Sequence, residues 1–244
     1  MIPSAVRNPQ NSFDIGEAVL VPYLKTKGVD SLDRLILSHP HPDHFGGAKS
    51  ILENIPVSTL CGNSQIFPDE SYDHLLEMQK QKNVAECVLK KGDSWDWEGL
   101  HWDVIYPDHV NPALNMNDNS LVLRMSDKSH SFLFTGDIEK VGEEILSDQP
   151  GFESEVMKIP HHGSKTSSSV AFIDTVKPKY AVASLGENNF FGFPHSDILE
   201  RYQRREAQVF RTDQNGETCF SWGISGSPSF PNSTLSIQTF SSGK

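Results

Sequence analysis

The segment LILSHPHPDHFGG, residues 35–47, constrains the chain more than any other part of its sequence. It begins with the aliphatic run Leu35–Leu37, which is typical of a short strand, and GGAKSILENI at its end has apolar residues at helical spacing. A proline follows both His39 and His41 and favours extended backbone at each histidine, where side chains two apart point the same way. The segment therefore predicts a strand, a loop with converging polar side chains, and a helix.

The loop of this segment carries the side chains of a metal site. His39 and His41 can face one centre, while Asp43 and His44 offer a carboxylate and a third imidazole to a neighbouring centre. Imidazole and carboxylate together suit a borderline cation such as Zn²⁺, or Mn²⁺. We therefore predict metal binding here, with a polar loop that contains incidental histidines as the alternative.

Hydrophobic patterning along the rest of the chain predicts hairpins first and alternating helices and strands afterwards. SWDWEGLHWDVIYP and NSLVLRMSDKSHSFLFTGD each alternate on both sides of a polar turn. The elements that follow are helices at 138–147, 168–176 and 195–206, strands at 155–159, 179–184 and 208–212, and a last hairpin that turns at Asn215-Gly216. This order indicates an α/β fold in which a mixed sheet pair has helices outside. We predict one domain, 13–222, and a Ser/Gly/Pro-rich disordered tail, 223–244.

Charge and cysteine content disfavour some classes of protein. The 244 residues carry a formal net charge of −11, so any contact with nucleic acid needs a local basic patch or a bound cation. Cys61, Cys87 and Cys219 are widely spaced without a CxxC pair, which indicates isolated thiols. No apolar run approaches the roughly 20 residues that span a bilayer, so the chain as given is predicted to be soluble.

Asp137 is a further candidate ligand. It ends FLFTGD, directly after a buried-looking strand and a glycine, and therefore lies at a sheet edge, where catalytic groups gather. The alternative is that Asp137 caps the helix that begins at Ile138, because aspartate is a favoured N-cap.

Two adjacent histidines, His161 and His162, end the strand EVMKIP. The favoured interpretation is that one is a metal ligand or an acid and the other packs beside it, with two bystanders as the alternative. Ser164, Lys165 and Thr166 follow near a helix start, a composition that suits phosphate binding, or capping alone.

Basic residues are frequent in the last third of the chain. They are Lys158, Lys165, Lys177, Lys179, Arg201, Arg204, Arg205 and Arg211. They lend modest support to contact with nucleic acid, although a solvated helix face explains the arginines at 201, 204 and 205 at least as well.

SHPHPDHFGG resembles the metal-binding signature of the metallo-β-lactamase superfamily. NDNSLVLRM, FLFTGD, VMKIPHHGSKTSSS and FRTDQNG extend the resemblance, and from residue 13 to about 222 the chain is similar to the soluble hydrolase domain of the ComEC family of DNA-uptake proteins. The resemblance implies an αββα four-layer sandwich with two divalent metal ions, Zn or Mn.

The resemblance also implies roles for individual residues. It makes His39 and His41 ligands of one metal, Asp43 and His44 ligands of the other, and Asp137 the carboxylate that bridges both. His195 in FPHSDIL resembles the last metal histidine of the family, with a surface histidine near a helix N-terminus as the alternative. Asp43 and His162 are the predicted catalytic residues.

One segment departs from the lactamase and lactonase pattern. Those relatives have a histidine shortly before the strand that leads to the bridging aspartate, and this chain has LNMNDNS there. We then expect His161 or His162 to complete the first metal site. The alternative is that one of the two sites binds its metal weakly.

Metal-dependent hydrolysis is the predicted function. The resemblance implies a nuclease that acts on single-stranded DNA during uptake. Its implied partner is a membrane channel domain of the same or a companion chain. Its implied location is the bacterial inner membrane, and the resemblance does not specify which side of that membrane the domain faces. The alternatives are a hydrolase of small esters, lactones or phosphoesters, and a non-catalytic docking domain stabilised by metal.

The region before residue 13 lacks a feature expected from the resemblance. Relatives begin this domain with a hairpin resembling DVGQGDA, whereas MIPSAVRNPQNS shows no strand alternation. We therefore expect the fold to lack its first strands and to be less stable and less active than a complete domain.

Overall fold

Two facing sheets form the centre of the fold in residues 14–223 and 235–240, which a computed structural model describes. The smaller sheet has three parallel strands in the order β1-β2-β3. These are β1 (Leu32–Ile36), β2 (Val57–Gly62) and β3 (Ala85–Val88). Helical connections between them allow the parallel pairing.

The larger sheet has seven strands in the order β10-β9-β8-β7-β6-β5-β4. Its members are β4 (Ser94–Trp97), β5 (Leu100–Tyr106), β6 (Val122–Ser126), β7 (Ser131–Phe134), β8 (Val156–Lys158), β9 (Tyr180–Ala183) and β10 (Gln208–Arg211). The strands from β4 to β7 pair antiparallel, and those from β7 to β10 pair parallel. The first two of the three predicted hairpins are confirmed, and Glu98 and Gly99 make the first turn with φ of 48° and 82°.

Helices cover the outer face of each sheet. Their bounds are α1 (Val21–Thr26, preceded by a π-helical turn, Gly16–Leu20), α2 (Pro42–Phe45), α3 (Ala48–Asn54), α4 (Glu70–Gln81), α5 (Lys140–Ser147), α6 (Val170–Val176), α7 (Ser196–Gln203) and α8 (Thr212–Asn215). Buried apolar residues of α1, α3 and α4 share one core with the three-stranded sheet, and those of α6 and α7 share another with the seven-stranded sheet. Cys61, Val104 and Leu121 lie in a third core between the sheets. The layers are therefore helix, sheet, sheet and helix, which confirms the predicted fold class.

The hairpin predicted near the C-terminus is wrong. Asn215-Gly216 ends the short helix α8 instead of turning a hairpin, and Asn215 Oδ1 accepts a hydrogen bond of 2.8 Å from Arg211 N. The predicted disordered tail contains a strand, β12 (Ser236–Phe240), which pairs antiparallel with β11 (Glu217–Ser221) in a small sheet. Leu235, beside that strand, packs against Phe132 of the seven-stranded sheet, and this contact anchors the segment.

An apolar cleft of about 740 Å³ opens between the two sheets, with Leu35 on one side and Leu123 and Phe134 on the other. The expectation of missing first strands concerns residues 1–13, which lie outside the described ranges, and it stays a prediction. None of the helices in the described ranges is long and apolar enough to cross a bilayer.

Candidate metal centre

The site forms where loops after β1, β7 and β8 meet at one edge of the sheets. The loop after β1 delivers Asp43 and His44, the loop after β7 delivers Asp137, and the loop after β8 delivers His162. Gly136 allows this convergence because its φ is +53° and a Cβ there would lie 2.6 Å from Ser120 Cβ. A residue with a side chain at 136 would therefore push the loops apart.

Four ligand atoms converge at this edge. His44 Nε2 lies 3.0 Å and His162 Nε2 3.2 Å from Asp137 Oδ2. Asp43 Oδ2 lies 3.5 Å from His162 Nε2 and 3.7 Å from His44 Nε2. A tetrahedral cation with bonds of about 2.0–2.2 Å holds its ligands about 3.3–3.6 Å apart. The four atoms therefore have the spacing of a metal-binding shell.

The environment of His162 shows that this shell fits a cation. Its Nδ1–H donates to the carbonyl of Ser184 at 2.5 Å, which leaves the lone pair of Nε2 directed toward two carboxylates. That buried Nε2 has no hydrogen-bond partner of acceptable geometry. Two carboxylates and an imidazole lone pair repel one another unless a cation or a proton lies between them. Burial opposes protonation, but Asp137 and Asp43 outweigh it and raise the pKa of His162 to about 9.

The two histidines after β8 have left-handed backbone. His161 and His162 have φ of 44° and 55°, and Gly163 follows at 84°. This conformation costs about 1–2 kcal/mol for a residue with a side chain, and histidine tolerates it better than most. The turn directs the ring of His162 inward and leaves that of His161 partly exposed.

Lys158 supplies a fixed positive charge behind the shell. It lies within β8 and is buried, and its Nζ donates to Asp137 Oδ1 at 2.7 Å and to the carbonyl of Gly136. One carboxylate oxygen of Asp137 therefore faces the lysine and the other faces the ligand shell. Burial opposes ionisation of Asp137, but Lys158, His44 and His162 hold its pKa well below the ordinary value.

Two serines orient the histidines of the first loop. Ser38 Oγ lies 3.1 Å from His44 Nδ1, and Ser120 Oγ lies 3.1 Å from Nδ1 of the fully buried His39. Contacts of this kind fix which ring nitrogen remains available to a metal. His39 Nε2 and His41 Nδ1 lie 3.0 Å apart, and neither residue belongs to the four-residue group.

The sequence left an alternative role open for Asp137 and for His195. Asp137 is not an N-cap, since α5 begins at Lys140 and Asp118 Oδ1 accepts hydrogen bonds from the backbone of Glu139 and Gly142 at its N-terminus. His195 precedes α7 and does not belong to the four-residue group. The roles of His39, His41, His161 and His195 as ligands stay predictions.

The LNMNDNS segment has a structural role. Asp118 holds the start of α5, and Asn119 Oδ1 accepts from Asn111 N at 2.7 Å while its Nδ2 donates to the carbonyl of Asn115 at 2.9 Å. Polar side chains here therefore fix the loop that precedes β6.

His161 is paired with a carboxylate beside the shell. Its Nδ1 lies 3.0 Å from Glu139 Oε1 and 3.2 Å from Thr166 Oγ1. Thr166 Oγ1 donates to Glu139 at 2.8 Å, and Asn115 donates to the other carboxylate oxygen at 2.8 Å. Burial lowers the pKa of His161 despite the nearby carboxylates, so its ring is largely neutral at pH 7.

The hydroxyls after the histidine pair are engaged within the protein. Ser164 Oγ and Thr166 Oγ1 lie 3.0 Å apart, and Ser169 caps α6. Glu143 accepts hydrogen bonds from the backbone N–H groups of Ser168 and Ser169, so a carboxylate already occupies the start of that helix. Capping therefore accounts for much of this segment, and substrate binding by Ser164, Lys165 and Thr166 stays a prediction.

Most of the basic residues of the last third have acidic partners. The pairs are Lys158 with Asp137, Lys179 with Glu155, Arg201 with Asp197, Arg204 with Glu200, Arg205 with Asp174 and Arg211 with Asp213. These contacts remove the support that the sequence gave for a free basic surface.

Sequence reasoning missed the residues that support the ligands. Ser38, Ser120 and the carbonyl of Ser184 carry no motif of their own. Lys158 does carry a signal, because a lysine in the otherwise apolar run VMKI needs a countercharge when the strand is buried.

Known proteins are similar to this chain in sequence and in fold. A family model described as the metallo-beta-lactamase superfamily matches residues 9–187. ComE operon protein 3 of Bacillus subtilis is 38% identical over 86% of this chain and 27% of its own length. Competence protein ComA of Neisseria gonorrhoeae is 32% identical over 88% of this chain and 29% of its own length. The chain thus spans little more than a quarter of these curated relatives.

A solved structure agrees with the architecture. The crystal structure of a metal-dependent hydrolase of the beta-lactamase superfamily aligns with a TM-score of 0.50 at 14% identity and covers 82% of this chain and 84% of that one. At this identity the likeness concerns the fold alone. With the family match, the four-layer fold and the Asp/His shell, it follows that the chain belongs to the metallo-beta-lactamase superfamily of metal-dependent hydrolases.

Proposed function

We propose that the chain is the nuclease domain of a competence-type protein and hydrolyses phosphodiester bonds of single-stranded DNA during uptake. The observation that carries the proposal is the shell of Asp43, His44, Asp137 and His162, whose four converging ligand atoms have the spacing of a metal-binding shell. The names of the competence relatives suggest DNA as the substrate.

The chain's own residues perform binding and orientation. Asp43, His44, Asp137 and His162 would hold a divalent ion, Zn or Mn, and the imidazoles of His39 and His41 would serve a second one. A cation held there supplies Lewis acidity toward a phosphoryl oxygen and favours the ionisation of water. Lys158 keeps one oxygen of Asp137 away from the shell, so that this carboxylate presents only its other oxygen to the site.

His161 is the residue that we assign to proton transfer. Hydrolysis of a phosphodiester takes a proton from the attacking water and gives one to the leaving alkoxide. The largely neutral ring of His161, whose Nδ1–H faces Glu139, would accept the first proton at Nε2 and then deliver it to the alkoxide. Glu139 and Thr166 fix the Nδ1 side of the ring, so the opposite nitrogen remains for the substrate. Asp43 and His162 act as ligands in this scheme, which narrows their predicted catalytic role to metal binding.

The biological setting is part of the proposal. Because the chain spans little more than a quarter of its relatives, a membrane channel domain in the same or a companion chain would deliver the DNA strand at the bacterial inner membrane. The net charge of −11 and the paired arginines instead favour a small ester or phosphoester as the alternative substrate.

Cleavage of labelled single-stranded DNA by purified protein, with Mn²⁺ or Zn²⁺ added, tests the proposal. We expect cleavage that a chelator abolishes and that His39→Ala and Asp137→Asn reduce by at least about 100-fold. Hydrolysis of small aryl esters without DNA cleavage would favour the alternative substrate. A metal-loaded protein that cleaves neither would indicate a docking domain.

A further inference from the structure

Phe190 and Phe191 project from the loop between β9 and α7, and a third phenylalanine, Phe193, lies half-buried against the core beside them. Phe190 and Phe191 are 86% and 56% exposed, and Phe190 is the most exposed large apolar side chain in the described residues. The rings of Phe191 and Phe193 stack at 5.4 Å with an interplanar angle of 16°, and Phe190 meets Phe191 edge-on at 6.2 Å. The loop thus presents two aromatic rings to solvent, and the half-buried ring of Phe193 continues this row toward the core.

Hydrogen bonds within the loop hold this row in place. Asn189 Oδ1 accepts from Phe193 N at 2.8 Å, and its Nδ2 donates to the Phe193 carbonyl at 2.8 Å. The Asn189 carbonyl also accepts from Gly192 N at 3.2 Å. The rings are therefore presented by a structured turn, and a partner that binds them need not order the loop first.

The row of phenylalanine rings lies next to the metal centre. Phe193 lies edge-on to His161 at 5.8 Å, and the ring of His161 is 6.3 Å from that of the ligand His162. His195 N donates to the carbonyl of Gly163 at 3.0 Å, and a Cβ at Gly163 would lie 2.5 Å from Pro194 Cβ. The aromatic loop and the histidine turn are thus in close contact, and no space remains for a side chain at Gly163.

We propose that Phe190, Phe191 and Phe193 form a stacking platform for unpaired nucleobases of a single-stranded nucleic acid whose phosphodiester lies at the metal centre. The inference rests on the proposed function and deepens it. Bases stack on exposed aromatic rings whatever their identity, so such a platform selects single strands without reading sequence.

Charge favours this occupant over a membrane surface. The loop GENNFFGFPH contains a glutamate and neither lysine nor arginine, whereas surfaces that bind anionic lipid combine aromatic with basic residues. With a net charge of −11, the chain also offers little general attraction to phosphates. Stacking provides affinity that does not depend on positive charge, while the metal centre receives the phosphate.

Removal of bases from the strand gives the direct test. Binding of a labelled thymidine oligonucleotide and of an abasic oligonucleotide of equal length is measured by fluorescence anisotropy in chelator, and cleavage of both is measured with Mn²⁺. The variants are Phe190→Ala, Phe191→Ala and the conservative Phe191→Trp. Phe240→Ala serves as matched control, because Phe240 is 54% exposed and belongs to β12. Thermal midpoints confirm that each variant is folded.

We expect the wild-type protein to bind the thymidine oligonucleotide more tightly than the abasic one. Each alanine variant should lose at least about fivefold in affinity for the thymidine strand only, as expected for one lost stacking contact. Phe191→Trp and Phe240→Ala should bind both strands as the wild type does.

Other outcomes separate the platform from the proposed function. Cleavage of both oligonucleotides by wild type, with alanine variants that keep the preference for bases, would overturn the platform and leave the nuclease intact. Vesicle binding or self-association that is lost in the alanine variants, with unchanged preference for bases, would assign the row to lipid or to a second copy and also overturn it. Absence of cleavage and of DNA binding in the wild type would overturn the nuclease proposal, and the platform with it.

Discussion

The ammonium group of Lys158 lies 2.7 Å from Oδ1 of Asp137 inside the seven-stranded sheet. The other oxygen of the same carboxylate lies 3.0 Å from Nε2 of His44. The aspartate therefore joins the sheet interior to the ligand shell, and its charge is compensated on one side before any ion binds. Loss of the lysine should then affect the metal-free protein more than the metal-bound one.

Substitution of Lys158 by methionine, which keeps the length and apolar stem of the side chain, tests this relationship. Asp137 would be left buried without its fixed countercharge, which costs about 3–5 kcal/mol in the absence of metal. Bound metal should restore much of this loss. Thermal unfolding with and without Zn²⁺ should therefore show a larger metal-induced rise of the midpoint in Lys158→Met than in wild type, and equal rises would contradict the prediction.

The second prediction concerns the ligand shell. His162→Ala removes one of four converging ligand atoms, so it should weaken binding of the tightest metal ion by at least about tenfold. His195→Ala is the matched control, because His195 lies outside the four-residue group and this variant should retain the ion. Elemental analysis after desalting measures both. If His195→Ala loses the metal and His162→Ala keeps it, His195 is the ligand, as the resemblance to the family implies, and His162 is not.

The third prediction separates the two roles that the sequence left open for Asp137. Asp118→Ala removes the acceptor at the start of α5 and should cost about 1–2 kcal/mol of stability while leaving metal content unchanged. Asp137→Asn should lose metal, and any loss of stability in the metal-free protein should come from the unpaired Lys158 and not from the start of α5. Metal retained by Asp137→Asn in elemental analysis would show that this carboxylate is not a ligand.

The fourth prediction concerns pH. Without metal, the pKa of His162 is raised to about 9, so its protonated form stabilises the fold below about pH 6.5, and that contribution is lost as the pH rises toward 9. The pKa of Asp43 is lowered to about 2, so its contribution is present above about pH 4 and is lost only in stronger acid.

The thermal midpoint of the metal-free protein should therefore fall by roughly 5–10 °C between pH 6.5 and 9. Metal displaces the proton of His162, so the loaded protein should show little change over this range. His162→Asn provides the control, since it lacks the titrating group and its metal-free midpoint should be flat. An equal fall in wild type and His162→Asn would assign the effect to another group.

The metal loop could be predicted from the sequence because its determinants are local. Prolines, histidines and the following helix lie within residues 39–54, and the structure groups Asp43 and His44 with Asp137 and His162. The partners of those ligands could not be predicted, because Ser120, Lys158 and Ser184 reach the site from separate strands of the larger sheet or from residues beside them. Only the sheet order makes these residues neighbours.

Three other features that the sequence did not reveal have physical reasons. Asn-Gly favours left-handed backbone, which turns a hairpin but also ends a short helix, and at Asn215-Gly216 the second use applies. Half of the paired basic residues of the last third have acidic partners that are distant in sequence, as with Arg205 and Asp174, so the sequence could not show these pairs. Composition alone likewise concealed β12, whose stability comes from pairing with β11.

The left-handed turn at His161-His162-Gly163 restricts which substitutions these positions accept, independently of chemistry. Glycine, asparagine, aspartate and histidine occupy such backbone at low cost, whereas β-branched residues do not. The φ of +84° at Gly163 and its contact with Pro194 exclude even alanine there. When related sequences are compared, retention of histidine or asparagine at 161 therefore reflects the backbone as well as proton transfer, and exchange of His161 for asparagine separates the two requirements.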